Sequence, residues 1–238
     1  MTLKDKMVVI LGGSSGIGLA TAKAALAEGA QIVVTGRSEE RLGKARAELG
    51  KALRTVALDV ADERGTEALF RTLDRVDHVF ITAGILVKDP RLAPDGATVR
   101  PAMDVRFWGA FYAAKYAAPK MTEGGSITFM SGTAAQRPII GASVATASCS
   151  AVEGFARSLA VDLAPIRVNT IQPGFVDTPL LDDLLGARRA EVLAAVAAKL
   201  PARRIGRPDE VADAVIFLMK NGYVTGTTLT IDGGGLLV

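Results

Sequence analysis

A glycine-rich segment near the start of the chain has the composition of a phosphate-binding turn. It follows the apolar run 7–11 and precedes an Ala-rich stretch with a helical pattern. Glycine permits a tight turn and lets a phosphate approach the backbone, while the N-terminus of the next helix offers unpaired N–H groups. The context therefore favours a dinucleotide pyrophosphate site over an ordinary Gly-rich turn. The residues predicted to form it are Gly12, Ser14, Ser15, Gly16, Ile17 and Gly18.

The end of the second apolar run, 31–35, indicates which dinucleotide is bound. An NAD site places a carboxylate there against the ribose 2′-hydroxyl, but this sequence continues as Gly36-Arg37-Ser38. A guanidinium at this position suits a 2′-phosphate, so Arg37 favours NADP(H) over NAD(H). The alternative is an arginine that only solvates the turn.

These residues need a scaffold, and the chain supplies alternating strand-like and helix-like segments. Continuously apolar strands separated by helix-length stretches indicate a parallel sheet covered on both faces. We predict an α/β fold in one domain, 1–238, with a doubly wound Rossmann-type parallel sheet of about seven strands. The segment 180–204 breaks the rhythm and is predicted to be a mobile substrate lid. The strand-like runs are 7–11, 31–35, 55–58, 78–82, 126–130, 167–171 and 228–231.

Composition narrows the classes of function. The 28 Lys and Arg against 25 Asp and Glu give a net charge of +3 without a basic stripe, so no nucleic-acid partner is expected. Cys149 and His78 are the only residues of their types, which leaves a metal ion without a normal ligand set. No apolar run has the length of a secretory or membrane-spanning segment. We expect a cytoplasmic protein that does not bind membranes.

Further segments carry a resemblance to a known family. Asp59-Val60 follows the third strand, Thr82-Ala83-Gly84 follows the fourth, and 167–174, 206–212 and 225–234 form a C-terminal set. Together with the glycine turn, they resemble the short-chain dehydrogenase/reductase family from end to end. That resemblance implies further cofactor contacts at Asp59, Val60, Ala83, Gly84, Pro173, Gly174, Val176 and Thr178.

The resemblance fails at the catalytic residues. The family uses an asparagine, a serine, a tyrosine and a lysine, and the register of the flanking 151–160 segment puts Arg106, Gly132, Ala145 and Cys149 at those positions. The tyrosine donates the proton to the substrate oxygen, and general acid–base assistance contributes about 10²–10⁴-fold in rate. The standard reaction should therefore be nearly silent, and restoring all four residues together is expected to rebuild it.

Other residues of the chain are candidates to take over from the family's catalytic residues. Tyr116 and Lys120 have the tyrosine-x-x-x-lysine spacing, but they lie at the far end of a helix that Pro119 interrupts. Ser131, Thr133 and Ser143 either orient a water molecule near the vacated site or are structural hydroxyls.

Cys149 and Arg106 are each open to two interpretations. The Cys149 thiol is either reactive beside the nicotinamide or an inert small side chain. Arg106 either holds an acidic ligand or the cofactor, or turns away to reach solvent.

Three functions follow from these observations. The first is an NADP(H)-binding oxidoreductase with weak or non-standard activity on a carbonyl or alcohol. The second is a non-catalytic, cofactor-binding pseudoenzyme, and the third is a chemistry other than redox that uses Arg106 or Cys149. The small and apolar residues of 107–111 and 141–147 also predict a homo-oligomer, a tetramer or a dimer.

Overall fold

Seven parallel strands form the centre of the molecule. The structure is a computed structural model that describes residues 2–238, apart from the side chain of Asp183. The strand order is β3-β2-β1-β4-β5-β6-β7, with every neighbouring pair parallel. The strands are β1 Met7–Leu11, β2 Gln31–Gly36, β3 Leu53–Ala57, β4 Val76–Ile81, β5 Met121–Met130, β6 Arg167–Pro173 and β7 Thr228–Ile231.

All seven predicted strands are present, and the predicted fold class is confirmed. Three strands start earlier than the apolar pattern indicated: β3, β5 and β4, which begins at Val76 and not at 78. β3 begins at Leu53, because its exposed edge position tolerates polar residues. β5 begins at Met121, five residues before the predicted start, since Gly124 and Gly125 interrupt the apolar run without ending the strand. The pairing register of β4 and β5 shifts over this stretch, as expected for an irregularity that contains glycine.

Helices cover both faces of the sheet. Because successive side chains of a strand point to opposite faces, Val8 and Ile10 join one core while Val9 and Leu11 join the other. Helices α1, α2 and α9 pack on the first core, and α3, α5 and α6 pack on the second. The helices are α1 Gly16–Ala27, α2 Glu39–Leu49, α3 Glu63–Arg71, α4 Gly96–Met103, α5 Gly109–Ala117, α6 Ser143–Asp162, α7 Pro179–Leu185, α8 Arg189–Lys199 and α9 Pro208–Lys220.

A π-helical turn joins α4 to α5. It spans Asp104–Trp108, and the backbone stays helical on both sides of it. π-helical turns are rare and occur frequently at functional sites, because the wider turn re-aims the side chains that it carries. Arg106 lies at the centre of this turn.

The segment predicted to be a substrate lid is helical. Most of 180–204 forms α7 and α8, and both helices lie between the end of β6 and the start of α9. Its mobility stays a prediction.

The strand order fixes where a ligand is expected. The chain winds outward from β1 to β3 on one side and from β4 to β7 on the other, so the direction reverses between β1 and β4. In open α/β sheets, ligands bind outside the carboxyl ends of the strands at such a reversal. The glycine turn follows β1, and Thr82-Ala83-Gly84 follows β4, so both segments lie at this position.

Toward the amino ends of the strands, away from the glycine turn, polar side chains are buried in the sheet. His78 on β4 is buried, and its Nδ1 lies 2.9 Å from the Ser126 hydroxyl oxygen on β5. Burial, followed by the charge of Arg167, lowers the pKa of His78 to about 4. The Arg167 guanidinium in turn donates to the main-chain oxygens of Leu218 and Met219 at the end of α9.

The neighbouring Asp77 is held in its charged form, whereas the lowered pKa of His78 keeps its imidazole neutral at pH 7. Burial alone would raise the pKa of Asp77, but hydrogen bonds from the Met7 amide and from the side chains of Arg75, Lys6 and Thr122 together lower it to about 2.

Candidate functional site

A cleft of about 820 Å³ runs along the carboxyl ends of the strands. It brings together segments that are far apart in the sequence, from the glycine turn to the residues after β6. Of the residues predicted to contact the cofactor, those that line the cleft are Gly12, Ser14, Ser15, Gly16, Ile17, Arg37, Asp59, Val60, Ala83, Gly84, Pro173, Gly174, Val176 and Thr178.

Gly18 is the predicted cofactor residue that lies outside the lining of the cleft. It lies in the first turn of α1, where any side chain would overlap the Gly12 carbonyl oxygen. Gly18 therefore allows α1 to pack closely against the turn. The structure shows no surface of Gly18 facing the cleft.

The turn itself has the properties that a pyrophosphate needs. Gly12 adopts φ +97°, a conformation that side chains rarely accept, and a Cβ there would lie 2.8 Å from the Ala83 nitrogen. Ser15 is the N-cap of α1 but makes no side-chain capping bond, and the first turn of α1 has no acidic residue. The N–H groups at this helix end are thus left without a side-chain partner, and the positive end of the helix dipole points into the cleft.

Two arginines lie at the end of the cleft beyond β2. Arg37 and Arg41 are both exposed and line the cleft. Ser38 lies between them and caps α2 by accepting a hydrogen bond from the Arg41 amide at 3.2 Å. Sequence reasoning missed Arg41, although a helix that starts directly after β2 has to direct its first turn toward the same end of the cleft.

The acidic residues at this end are engaged with other groups. Glu40 lines the cleft, but its carboxylate pairs with Lys44 one helical turn later. The Asp59 carboxylate accepts a hydrogen bond from the Ala61 amide at 3.0 Å.

The four positions that the family resemblance assigns to catalysis differ in whether they face the cleft. Arg106, Gly132 and Cys149 line the other end of the cleft, but Ala145 has 0% exposure and does not. A Cβ on Gly132 would lie 3.6 Å from the Cys149 sulfur, an ordinary contact. There is room for a serine at 132, whereas a tyrosine at 145 would have to displace packed neighbours. The expectation that the vacated pocket simply accepts all four family residues is therefore not supported at Ala145.

Arg106 is buried, with 5% exposure. Its Nη1 donates to the main-chain oxygens of Met130, at 3.1 Å, and Ser131, at 3.4 Å. The alternative in which this side chain turns away to reach solvent is wrong, because the guanidinium lies inward against the end of β5.

Most of the residues that could replace the family's proton donor make hydrogen bonds to other groups. Tyr116 donates to Glu63, and Lys120 donates to the Leu73 carbonyl, so both face α3 rather than the cleft. The Ser131 hydroxyl donates to Glu153 at 2.6 Å. Thr133 lines the cleft, so its hydroxyl stays a candidate for orienting a water molecule.

Ser143 belongs to a capping arrangement that sequence reasoning missed. The buried Asp89 accepts hydrogen bonds from the amides of Ser143 and Val144 and from the Ser143 hydroxyl, all at 2.7 Å. The Ser143 hydroxyl and then the Val144 amide hold the pKa of Asp89 below its usual range. Asp89 thereby fastens the loop after β4 to the start of α6, the helix that carries Ala145 and Cys149.

Apolar side chains form a large part of the wall around this end of the cleft, beside the polar Ser131 and Thr133. This wall is formed by the loop after β4, the end of β5, the loop before α6 and the first turns of α7. The apolar residues are Ile85, Leu86, Val105, Met130, Ile139, Phe175, Leu180, Leu181 and Leu184.

An aromatic cluster lies on the outer side of the π-helical turn. Phe107, Trp108, Phe111 and Tyr112 contact one another with ring centroids about 5–6 Å apart, and Phe155 of α6 joins them. Trp108 is 43% exposed. None of these rings lines the cleft.

Comparison with known proteins assigns this combination of fold and cleft. The family model described as enoyl-(acyl carrier protein) reductase matches residues 12–235. The chain belongs to the short-chain dehydrogenase/reductase family. One relative in this family, the short-chain dehydrogenase/reductase malC of Malbranchea aurantiaca, is 35% identical over 256 residues, which cover 99% of this chain and 96% of malC.

Other members of the family are similar over comparable lengths. The NADP-dependent (R)-specific alcohol dehydrogenase of Lentilactobacillus kefiri is 34% identical and covers 98% of this chain and 97% of its own. Among solved structures, MalC reductase/Diels-Alderase from Malbranchea aurantiaca has a TM-score of 0.92 at 33% identity, covering 99% and 98% of the two chains. A small-chain dehydrogenase in complex with NADPH has a TM-score of 0.84 at 31% identity, covering 99% and 100%.

Among residues 2–238, no helix combines the length and the apolar character needed to cross a membrane. Nor do the described side chains include a group of three or more His, Cys, Asp or Glu positioned to hold a metal ion.

Proposed function

We propose that the protein is an NADP(H)-dependent oxidoreductase with weak or non-standard activity on a carbonyl or alcohol substrate. The observation that carries this proposal is the complete cofactor half of the cleft, in which the glycine turn, the uncapped start of α1 and Arg37 lie along one surface. When bound, NADP(H) supplies or accepts a hydride. The backbone N–H groups at the start of α1 would hold its pyrophosphate.

The preference for NADP(H) over NAD(H) rests on charge. Arg37 and Arg41 stand at the end of the cleft where an NAD-specific site has a carboxylate, and the Glu40 carboxylate is drawn toward Lys44. Two guanidinium groups suit a 2′-phosphate because they donate several hydrogen bonds in a fixed plane. The NADP-dependent relative and the NADPH-bound neighbour support this preference.

Weak activity follows from the catalytic end of the cleft, which is the end lined by Arg106, Gly132 and Cys149. Ala145 has no proton to give, and Gly132 has no hydroxyl to hold the substrate oxygen. The substrate oxygen would therefore exchange its proton with water, next to Thr133. Because a positioned acid or base is worth about 10²–10⁴-fold in rate, turnover well below that of a complete site is expected.

A cofactor-binding pseudoenzyme is the second candidate. The replacement of all four family residues favours it, and so does the enclosure of Ala145. The third candidate, a chemistry other than redox, is in keeping with the description of one neighbour as both a reductase and a Diels-Alderase.

Cofactor titration and turnover together distinguish the candidates. NADPH is expected to bind at least tenfold more tightly than NADH by fluorescence titration, and Arg37→Ala should remove about tenfold or more of that preference. Arg54→Ala, which removes an arginine that does not line the cofactor cleft, is the matched control. Equal affinities for NADPH and NADH would contradict the NADP assignment. NADPH binding without oxidation of NADPH by any member of a broad ketone and aldehyde panel would favour the pseudoenzyme.

We also expect a homo-oligomer in the cytoplasm, a tetramer or a dimer. The partly exposed Trp108 and the aromatic rings around it form an apolar surface on α5. Light scattering that reports a monomer at micromolar concentration would refute the oligomer.

A further inference from the structure

We propose that the catalytic end of the cleft binds the carboxylate of an apolar substrate on Arg106. The substrate class is an apolar carboxylic acid that also carries the carbonyl or hydroxyl group to be reduced or oxidised. The identity of the reacting group rests on the proposed function, but the carboxylate site itself rests only on the residues around Arg106.

The first observation is a buried charge without an opposite charge. Arg106 has 5% exposure, and no described acidic side chain forms an ion pair with it. A buried cation without a counter-ion is costly, since its attraction to an anion is what offsets the loss of hydration. The nearest stabilising groups are the main-chain oxygens of Met130 and Ser131, which are dipoles and not charges.

The second observation is which nitrogens of Arg106 are engaged. Both of these hydrogen bonds come from Nη1. Nε is fully enclosed and has no partner, and Nη2 donates to no described group. In a guanidinium, the Nε–H and Nη2–H bonds point in parallel from one edge, with the spacing of the two carboxylate oxygens. Because Nε is enclosed by protein, Nη2 is the end of this edge that is open to an entering carboxylate, while Nη1 anchors the group.

The third observation is how this position is built. The π-helical turn Asp104–Trp108 carries Arg106 inward, and such turns occur frequently at functional sites. The guanidinium lies against Gly84, where a Cβ would come within 2.7 Å of Nη2 and 2.9 Å of Cζ. Only glycine at position 84 leaves space for the guanidinium at the wall of the cleft.

The fourth observation is the lack of competition from carboxylates of the chain. The described acidic residues that line the cleft, Glu40 and Asp59, are at the opposite end, with Arg37. Two acidic residues of the neighbouring segments already accept hydrogen bonds from the protein. Glu153 accepts them from Ser131 and Gln172, and Asp89 caps α6. An entering carboxylate would therefore contact Arg106 as the charged side chain of a wall that is otherwise uncharged and largely apolar.

This wall also defines the rest of the ligand. Leu86, Ile139, Leu180 and Leu184 line the same end of the cleft, and Ile140, which follows Ile139 in the sequence, is fully exposed. Exposed apolar side chains around a cleft favour an apolar ligand body, because both surfaces lose contact with water when it binds. Gly132 and Cys149, which line the cleft, are smaller than the residues that the family resemblance places there, which leaves more volume for that body.

The test measures binding, so that it does not depend on turnover. The probes are 4-phenylbutanoate and its uncharged amide, 4-phenylbutanamide, titrated by calorimetry into the full-length protein with and without NADP⁺. The carboxylate is expected to bind about 10- to 100-fold more tightly than the amide, the range for a charge-assisted hydrogen-bonded pair. Arg106→Gln should abolish the difference, and Arg106→Lys should keep part of it.

The controls separate this inference from the proposed function. Normal NADPH affinity of Arg106→Gln shows that the variant is folded, and Arg37→Ala should leave the preference for the carboxylate unchanged. Equal binding of the two probes to the unmodified protein overturns the inference without using any variant. Absence of carboxylate binding while NADPH binds normally overturns it as well. Absence of NADPH binding with an intact carboxylate preference would instead contradict the proposed function alone.

Discussion

The two ends of the cleft are built from different parts of the chain's chemistry. At the cofactor end, backbone N–H groups, glycines and the start of α1 form the surface, and side-chain identity matters chiefly at Arg37 and Arg41. At the catalytic end, the family resemblance assigns the four catalytic positions to Arg106, Gly132, Ala145 and Cys149, none of which is the residue type that the family uses there. A surface made of backbone groups therefore depends less on residue identity than a surface made of side chains.

Acidification tests the scaffold on which both ends depend. His78 has a pKa of about 4 in the folded protein against about 6.5 unfolded, so between these values the unfolded chain takes up a proton that the folded chain does not. Stability should fall by about 3 kcal/mol as the pH drops from 7 to 4, and by more below pH 4 as Asp77 protonates.

Urea denaturation at pH 7, 5 and 4 measures this effect. His78→Asn, which has no group titrating in this range, should show a shallower dependence on pH. Identical pH profiles for the two proteins would mean that His78 does not govern the acid limit.

The cofactor end should be broken by a single methyl group. Gly18→Ala places a Cβ against the Gly12 carbonyl, so the turn has to move, and we expect NADPH affinity to fall by about 10- to 100-fold. Gly43→Ala is the matched control, because a Cβ at Gly43 of α2 has nothing within 4 Å. Fluorescence titration should show the loss only in Gly18→Ala. Similar affinities in both variants would show that the turn is more adaptable than its packing indicates.

The catalytic end is expected to respond unequally to restoration of the family residues. Ala145→Tyr puts a large ring at a fully enclosed position and should cost about 1–3 kcal/mol of stability. Gly132→Ser should change stability by less than about 0.5 kcal/mol, because its Cβ meets an ordinary contact at Cys149. Thermal and chemical denaturation compare the two. A tyrosine at 145 that is tolerated and generates NADPH-dependent ketone reduction would show that this end had only lost its side chains.

The smallest expected effect separates the two arginines of the cofactor end. Arg41→Ala should weaken NADPH binding only a few-fold, as for an exposed charge that adds to a neighbouring one. Titration of Arg37→Ala, Arg41→Ala and the double variant gives the coupling between them. A larger loss in Arg41→Ala than in Arg37→Ala would move the main phosphate contact to the missed residue.

The fold could be predicted from the sequence, and the residues predicted to bind the cofactor could be placed along one cleft, because the signals for both are local. A strand, a glycine turn and a helix follow one another within 20 residues, and apolar runs mark the buried strands. The predicted β5 is too short because Gly124 and Gly125 give its first half a weak strand signal. In the structure, pairing with β4 outweighs the weak strand preference of glycine.

The catalytic end could be located from the sequence but its geometry could not be predicted. The flanking register gave the four positions, yet whether Arg106 turned inward depended on the π-helical turn and on the space above Gly84. The Asp89 cap joins residues 54 positions apart, so no pattern in either segment indicated it. Enclosure of Ala145 likewise depends on tertiary packing and not on its own identity.

The difference in exposure between the arginines also determines how dissolved ions act on the two ends. The charges of Arg37 and Arg41 face solvent, where the screening length shrinks from about 8 Å at 0.15 M salt to about 3 Å at 1 M. Arg106 is almost entirely surrounded by protein, and salt screens a buried charge much less than an exposed one. Ionic strength therefore acts selectively on this cleft, weakening attraction at the β2 end while leaving the guanidinium above Gly84 at nearly full strength.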